Sequence, residues 1–271
     1  MYSWRRSANQ KWWSDKEDEL YAIAGDRLAI IEEAGRKRLR IEVTSRSRIE
    51  LQRVAKQFGG RIEKLPADWL KRFLRKQKTK PLRVGKRLIV VRSPKDREAS
   101  SFPYSLIIPA GTAFGTGEHA TTAMSLRLLE KLTRNWKPPW SIVDLGTGSG
   151  ILALAAKRFG ATGVIGIDND PIAISTAKEN ARLDQINGVE FRVGDVRCWK
   201  SQATIDIVTA NLFSELLIEI SPTLKRARWL ILSGILREQE RDVTRALKRN
   251  KIDILQVRRG GKWVAILAAV R

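Results

Sequence analysis

At 271 residues, with 43% hydrophobic and 30% charged residues, the chain is long enough to bury its own core and has the balance of a globular protein. The longest apolar run, residues 263–270, falls far short of the roughly 20 residues a membrane helix needs. The first residues lack the apolar stretch of a signal peptide, and one cysteine with one histidine exclude an internal disulfide and a Cys/His metal cage.

These features predict a cytoplasmic protein with no membrane and no metal. The net charge is +22, with 27 Lys and Arg against 13 Asp and Glu over residues 1–100, and 24 against 16 over residues 101–271. Such a field attracts phosphate backbones or acidic surfaces, so contact with RNA or the ribosome through the basic N-terminal region is one expectation. A merely solvated basic surface is the other.

In chain order, residues 21–32 and 39–43 predict strands. Residues 47–58 predict a helix with Ile49, Val54 and Phe58 on its apolar face, ended by Gly59-Gly60. Residues 68–75 suit a short helix, 82–91 alternate as a strand, and 95–101 are polar like a linker. The expected organisation is a small basic α+β substrate-recognition domain over residues 1–65, a connector over 66–100, and the main domain over 101–271. Thr121 and Thr122 open an amphipathic helix running to about residue 132.

From residue 141 a strand–helix rhythm sets in. Strands are expected at 141–145, 164–168, 189–193, 205–210 and 229–232; helices at 151–159, 171–183, 214–227 with a break near Pro222, and 237–250. The chain ends in a hairpin, 252–258 and 262–270, around Arg259-Gly260-Gly261. Alternating β and α units imply a doubly wound, Rossmann-like parallel sheet, here closed by an antiparallel hairpin.

The chemistry is carried by Gly146-Thr147-Gly148-Ser149-Gly150, between a strand and a helix. Glycines there let the backbone turn sharply and let a ligand approach without a Cβ in the way. Asp168 ends the next strand, where it can accept hydrogen bonds from both hydroxyls of a nucleoside ribose. A dinucleotide fingerprint would read G-x-G-x-x-G; here the third glycine falls one residue early. The acid-x-G-x-G-x-G pattern from Asp144 instead fits S-adenosylmethionine, which has no phosphate for Asp144 to oppose.

Asp195 suits either an adenine acceptor or a surface turn. Asn211, at the carboxyl end of the fourth strand, suits the site or a cap for the next helix; the site is the favoured reading. Upstream, Ala113-Phe114-Gly115-Thr116-Gly117-Glu118-His119-Ala120-Thr121-Thr122 reads as a loop lying closely over a ligand before a helix start.

At AFGTGEHATT (113–122), IVDLGTGSGILAL (142–154), IGIDNDP (165–171), ANL (210–212) and LSGI (232–235) the sequence resembles the PrmA family, the methyltransferases of ribosomal protein L-eleven. The resemblance implies that Thr122, Gly146, Asp168 and Asn211, with Gly148 of the same turn, contact S-adenosylmethionine. It also implies an N-terminal domain that holds a ribosomal protein, whose lysine side chains and N-terminal amine the catalytic domain methylates. Pro109-Ala110-Gly111, Ala120 and Leu212-Phe213-Ser214-Glu215 depart from the family pattern, all near the acceptor side.

Methyl transfer from a sulfonium is an in-line displacement in which positioning does most of the work. Asn211 is the candidate for orienting the amine; His119 is expected to have a structural role at its loop. An RNA methyltransferase and a non-catalytic RNA-binding or ribosome-binding module are the competing readings. Asn211-Leu212-Phe213 lacks the Pro-Pro-aromatic continuation expected for base amines, and the intact glycine turn with Asp168 speaks against the second.

Overall fold

The computed structural model describes residues 1–24, 27–32, 38–66, 81–98, 101–109, 119–200 and 203–270. The chain divides into two compact units, Met1–Lys78 and Thr79–Arg271.

In the first unit the elements run β1 (Tyr2–Ala8), α1 (Gln10–Ala24), β2 (Leu28–Glu32), β3 (Leu39–Ser45), α2 (Arg48–Phe58) and β4 (Arg61–Lys64). The strands form one antiparallel sheet in the order β2-β3-β1-β4, a split β-α-β arrangement. Alternation sends Trp4, Ile41 and Val43 to one face, where they pack with Leu20, Leu51, Val54 and Phe58. The other face carries Arg5, Arg40, Glu42 and Glu63, joined by ion pairs of Arg5 with Glu42 (3.0 Å) and Glu63 (2.8 Å) and of Arg40 with Glu42 (3.1 Å).

Three sequence expectations change in this unit. Residues 21–24 are the last turn of α1, not the start of a strand. Strand β1 was not anticipated. Ile49 is 67% exposed, and Leu51 takes the inward place in α2. The expected helix at 68–75 lies outside the described residues.

The second unit begins with β5 (Leu82–Val84), β6 (Leu88–Val91), the short helix α3 (Pro94–Glu98) and β7 (Tyr104–Ile107). The expected single strand over 82–91 is therefore a hairpin. Gly85, at φ +57°, makes its turn against the Glu130 carboxylate. The stretch 95–101, read as linker, begins inside α3. Val84, Leu88, Val90 and Leu106 join the main core, so the later part of the expected connector belongs structurally to this unit.

There follow α4 (Ala120–Thr133), β8 (Ser141–Leu145), α5 (Ile151–Arg158), β9 (Gly163–Asp168), α6 (Pro171–Leu183), β10 (Glu190–Val193), β11 (Ile205–Asn211), α7 (Ser214–Ile220), β12 (Ala227–Leu236), α8 (Glu240–Arg249), β13 (Ile252–Gly260) and β14 (Trp263–Val270). Helix α6 starts where Asp170 accepts from Ile172 N at 2.8 Å and Pro171 takes the first-turn position.

The seven-stranded sheet has the order β10-β9-β8-β11-β12-β14-β13; only the closing hairpin strand β14 runs against its neighbours. One face packs on α4, α5 and α6 through Leu126, Leu129, Leu154 and Ile174, and the other on α7 and α8 through Leu217, Ile220 and Leu247. The strand order reverses between β8 and β11, which opens a crevice at their carboxyl ends.

Candidate active site

The glycine turn bridges β8 and α5. Gly146, Gly148 and Gly150 all have positive φ (+72°, +52° and +79°). A Cβ on Gly146 would run into the Leu212 side chain, and one on Gly150 would lie 2.9 Å from Ala177 Cβ and 3.0 Å from Phe191 Cζ. The first glycine therefore keeps the crevice open, and the third lets α5 pack on α6. The turn is pinned by Gly146 N and Thr147 N, both donating to Ile167 O (2.8 and 2.9 Å).

Asp144 lies beneath this turn and is fully buried. Its Oδ1 accepts from Thr209 Oγ1 (2.6 Å) and its Oδ2 from Thr147 Oγ1 (2.7 Å). It therefore braces the loop from inside rather than facing a ligand. Burial pushes its pKa up to about 6, against the two hydroxyl bonds that lower it, with the nearby Asp168 charge adding to the rise.

A raised carboxylate pKa makes this group's contribution to stability largest below about pH 4 and lost as pH rises through 6. At about 1.4 kcal/mol per pKa unit, that difference is roughly 3 kcal/mol. Asp144→Asn removes the titration, so the stability of the variant minus that of the native protein should rise by roughly that amount between pH 4 and pH 7. Denaturant unfolding across that range tests it; a difference independent of pH would mean an ordinary carboxyl.

Among the described residues Asp168, at the end of β9, is held by backbone donors alone. Gly148 N gives to its Oδ2 (2.8 Å) and Asp170 N to its Oδ1 (3.1 Å). Gly146, Gly148, Asp168, Asn169, Asp195, Arg197, Asn211 and Leu212 line a crevice of about 180 Å³. Asp195 shows both faces of its expectation. It lines the crevice, and its Oδ1 caps the short 3-10 turn Val196–Cys198 by accepting from Arg197 N at 2.9 Å.

Asn211 stands at the end of a buried polar chain. Ser233 Oγ donates to Asn211 Oδ1 (2.9 Å), Ser125 Oγ meets Ser233 Oγ at 2.7 Å, and Asn211 Nδ2 donates to Thr122 Oγ1 (3.4 Å). Thr122 is thus buried behind Asn211 and is not among the residues lining the crevice. Loop residues 113–118 lie outside the described residues.

On the far side of Asn211-Leu212 is a second cavity, about 430 Å³, with mostly apolar walls: His119, Thr121, Phe213, Gly234 and Trp263, besides Asn211 and Leu212 themselves. The His119 ring meets Trp263 edge-on at 4.8 Å, and its Nδ1 pairs with Thr121 Oγ1 at 2.7 Å. Desolvation, then the Lys262 charge, lower the His119 pKa. Phe213 is 77% exposed at the mouth.

Sequence reasoning did not find this cavity. Its walls come from four separate segments. A topological signal was present all the same: β14 runs antiparallel, so its first residue, Trp263, must return to the edge where β11 ends.

Two ligands can therefore meet across one strip of backbone. One chamber has a carboxylate and a side-chain-free turn suited to a ribose, and the other has mostly apolar walls suited to an aliphatic chain with a polar tip.

Comparison with known proteins gives the same direction. A family model described as ribosomal protein L11 methyltransferase (PrmA) matches residues 15–271. The chain is 33% identical over 206 residues to the ribosomal protein L11 methyltransferase of Caldicellulosiruptor bescii, covering 74% of this chain and 65% of that protein. It is 36% identical over 209 residues to that of Pelobacter propionicus, covering 74% and 66%. The match thus spans a little under two thirds of the length of these relatives. The crystal structure of ribosomal protein L11 methylase from Lactobacillus delbrueckii subsp. bulgaricus superposes with a TM-score of 0.62 at 26% identity, covering 71% of this chain and all of that one.

Proposed function

The chain belongs to the ribosomal protein L11 methyltransferase (PrmA) family, and from that premise we propose that it transfers methyl groups from S-adenosylmethionine to lysine and N-terminal amines of a ribosomal protein. The observation that carries this reading is the partition at Asn211-Leu212, which belongs to both cavities and so brings a donor and an acceptor to a common wall.

The residues fit the cofactor. Asp168 would accept from the ribose hydroxyls, Asp195 would face the base, and Gly146 and Gly148 would leave room for the methionine portion where any Cβ would intrude. Thr122 acts through Asn211, which it holds. When bound, S-adenosylmethionine supplies a methyl carbon on a sulfonium that leaves with the C–S electron pair.

The protein's part is to present an amine lone pair in line. An acceptor lysine, with a reference pKa of about 10.4, must first lose a proton, and apolar walls lower that value. The open oxygen capacity of Asn211 orients the nitrogen. The small first unit is the part we assign to gripping the substrate protein, with residues 101–271 as the catalytic domain.

Incubation with methyl-labelled S-adenosylmethionine and separated ribosomal proteins and ribosomal RNA tests the reading. Label is expected in one small ribosomal protein, at lysine and terminal amines. Label in RNA alone, or none in either fraction, would refute it. Among the described residues no helix is long and apolar enough to cross a membrane and no metal-holding cluster is found.

A further inference from the structure

The charge of this protein is not confined to its first unit. The unit Thr79–Arg271 carries 31 Lys and Arg against 18 Asp and Glu, and the unit Met1–Lys78 carries 20 against 11. Most of the arginines with described contacts are neutralised locally: Arg5 by Glu42 and Glu63, Arg87 and Arg134 by Glu130, Arg197 by Glu219, Arg259 by Glu240.

Exposed cations without such a partner occur in both units, Arg46, Arg48, Arg53, Lys56 and Lys64 in the first among them; in the second unit five stand together. Lys225, Arg226, Lys248, Arg249 and Lys251 are all exposed, and among the described residues none has a carboxylate within 4.0 Å.

The fold brings these five together. Asn250 Nδ2 donates to Ser221 Oγ at 2.9 Å, which ties the end of α8 to the stretch that leads into Thr223–Arg226. Ile207, Trp229, Ala269 and Asp253 lie in one row across the sheet. Arg226 and Lys251, the residues immediately before β12 and β13, therefore share the edge where the parallel strands begin. Arg228 adds a sixth cation there, loosely paired with Asp206 at 3.4 Å and 68% exposed. Six residue steps of β11, about 20 Å at roughly 3.3 Å each, separate this edge from Asn211.

The helix dipole accounts for Lys248 and Arg249 at the carboxyl end of α8. It does not account for Lys251 and Arg228, which stand at strand starts. Nor is there an apolar anchor: over residues 223–251 no large hydrophobic side chain is exposed, and a protein interface needs such a core. A wholly electrostatic surface without that core fits a phosphodiester backbone.

We infer that the edge of the sheet opposite the candidate active site, built from Lys225, Arg226, Lys248, Arg249 and Lys251, binds the backbone of RNA. The contact carries no base readout and leaves the crevice at the other end of the strands free, so RNA binding and cofactor binding are independent.

The test titrates a short fluorescein-labelled poly-uridine RNA with the full chain, by anisotropy, at several salt concentrations. The five-fold glutamine variant of these residues is compared with a variant of equal charge change on the first unit, at Arg46, Arg48, Arg53, Lys56 and Lys64. The rear-edge variant should bind at least about 10-fold more weakly, and the slope of log affinity against log salt should flatten by up to about 3.5, at roughly 0.7 per phosphate contact. The first-unit variant, which removes the same charge without touching the edge, should change affinity by less than about 2-fold.

Equal losses in both variants, or no loss in the rear-edge variant, would overturn the inference. Tighter binding of poly-glutamate than of RNA would overturn it in favour of an acidic protein partner. Unchanged thermal unfolding and unchanged S-adenosylmethionine affinity certify the variant as folded. If it fails to fold, Lys225→Gln with Arg226→Gln, and separately Lys248→Gln with Arg249→Gln, should each give part of the loss.

Discussion

Asp168→Ala is expected to weaken S-adenosylmethionine binding by at least about 100-fold without unfolding the protein. The carboxylate is steadied by two backbone N–H groups, from Gly148 and Asp170, and no cation is paired with it among the described residues. Its charge is thus left to the ligand. A hydrogen bond to a charged group contributes about 1.5–3 kcal/mol, so losing both ribose contacts amounts to roughly 10²–10⁴-fold.

The side chain is only half-buried, and the loop keeps its other anchors at Ile167 O and Asp144. Two backbone bonds to the carboxylate are lost, but water reaches their donors at this half-exposed place, so destabilisation should stay at about 1–3 kcal/mol. Asp168→Asn, which keeps one acceptor, should fall between the two. Calorimetric titration reads both, and native affinity in a folded alanine variant would remove the ribose from this place.

Asn211→Ala should act on turnover instead. The asparagine touches both cavities, and its oxygen is aimed by Ser233, which Ser125 aims in turn. Removing it takes away the group proposed to line up the amine. A misplacement of about 1 Å can cost 10²-fold in rate, so kcat should drop by about that factor or more, with S-adenosylmethionine affinity changing by less than about 10-fold.

Asn211→Gln retains the amide but shifts it by one methylene, and should lose nearly as much. If the glutamine variant were fully active, position would not matter and the assignment would fail. The alanine variant also leaves Ser233, which is fully buried, without its acceptor, a stability loss of about 1–3 kcal/mol that unfolding would register.

From α4 onward the second unit was legible from sequence because its demands are local; its start, where β5, β6, α3 and β7 form, was not. Buried parallel strands need short apolar runs, and Asp170-Pro171 announces a helix start. A turn in which every second residue, Gly146, Gly148 and Gly150, sits at positive φ needs glycine there, so the loop declared itself.

The first unit was harder. Helix α1 buries Trp13, Leu20 and Ala24, a sparse stripe amid Lys16, Glu17 and Glu19, and its last turn, Tyr-Ala-Ile-Ala, passes for a strand start when read alone. In β1 the alternation of Trp4 with Arg5 was masked by the following arginine, Arg6, whose guanidinium spans the Trp12 ring at 4.3 Å while its stem stays on the helix face. In α2, Ile49 and Leu51 compete for one stripe, and only packing decides between them.

The candidate site divides the same way. Gly146, Gly148 and Asp168 follow from one turn and one strand end. The pairing of His119 with Trp263, some 144 positions later in the chain, depends on a hairpin returning along the sheet.

Gly234 has a particular bearing on how the proposed acceptor chamber can vary. It lies at φ +85°, and a Cβ there would strike the Leu212 carbonyl, so β12 presses directly on the strip of main chain between the two chambers. Leu212 N is also fastened to Ser233 O at 3.0 Å. That dividing wall cannot retreat to admit a bulkier guest. Any change of clientele must come from trimming or enlarging the side chains that project from it, Phe213 first, which lets the guest list be rewritten on one side while the methyl donor's room keeps its shape.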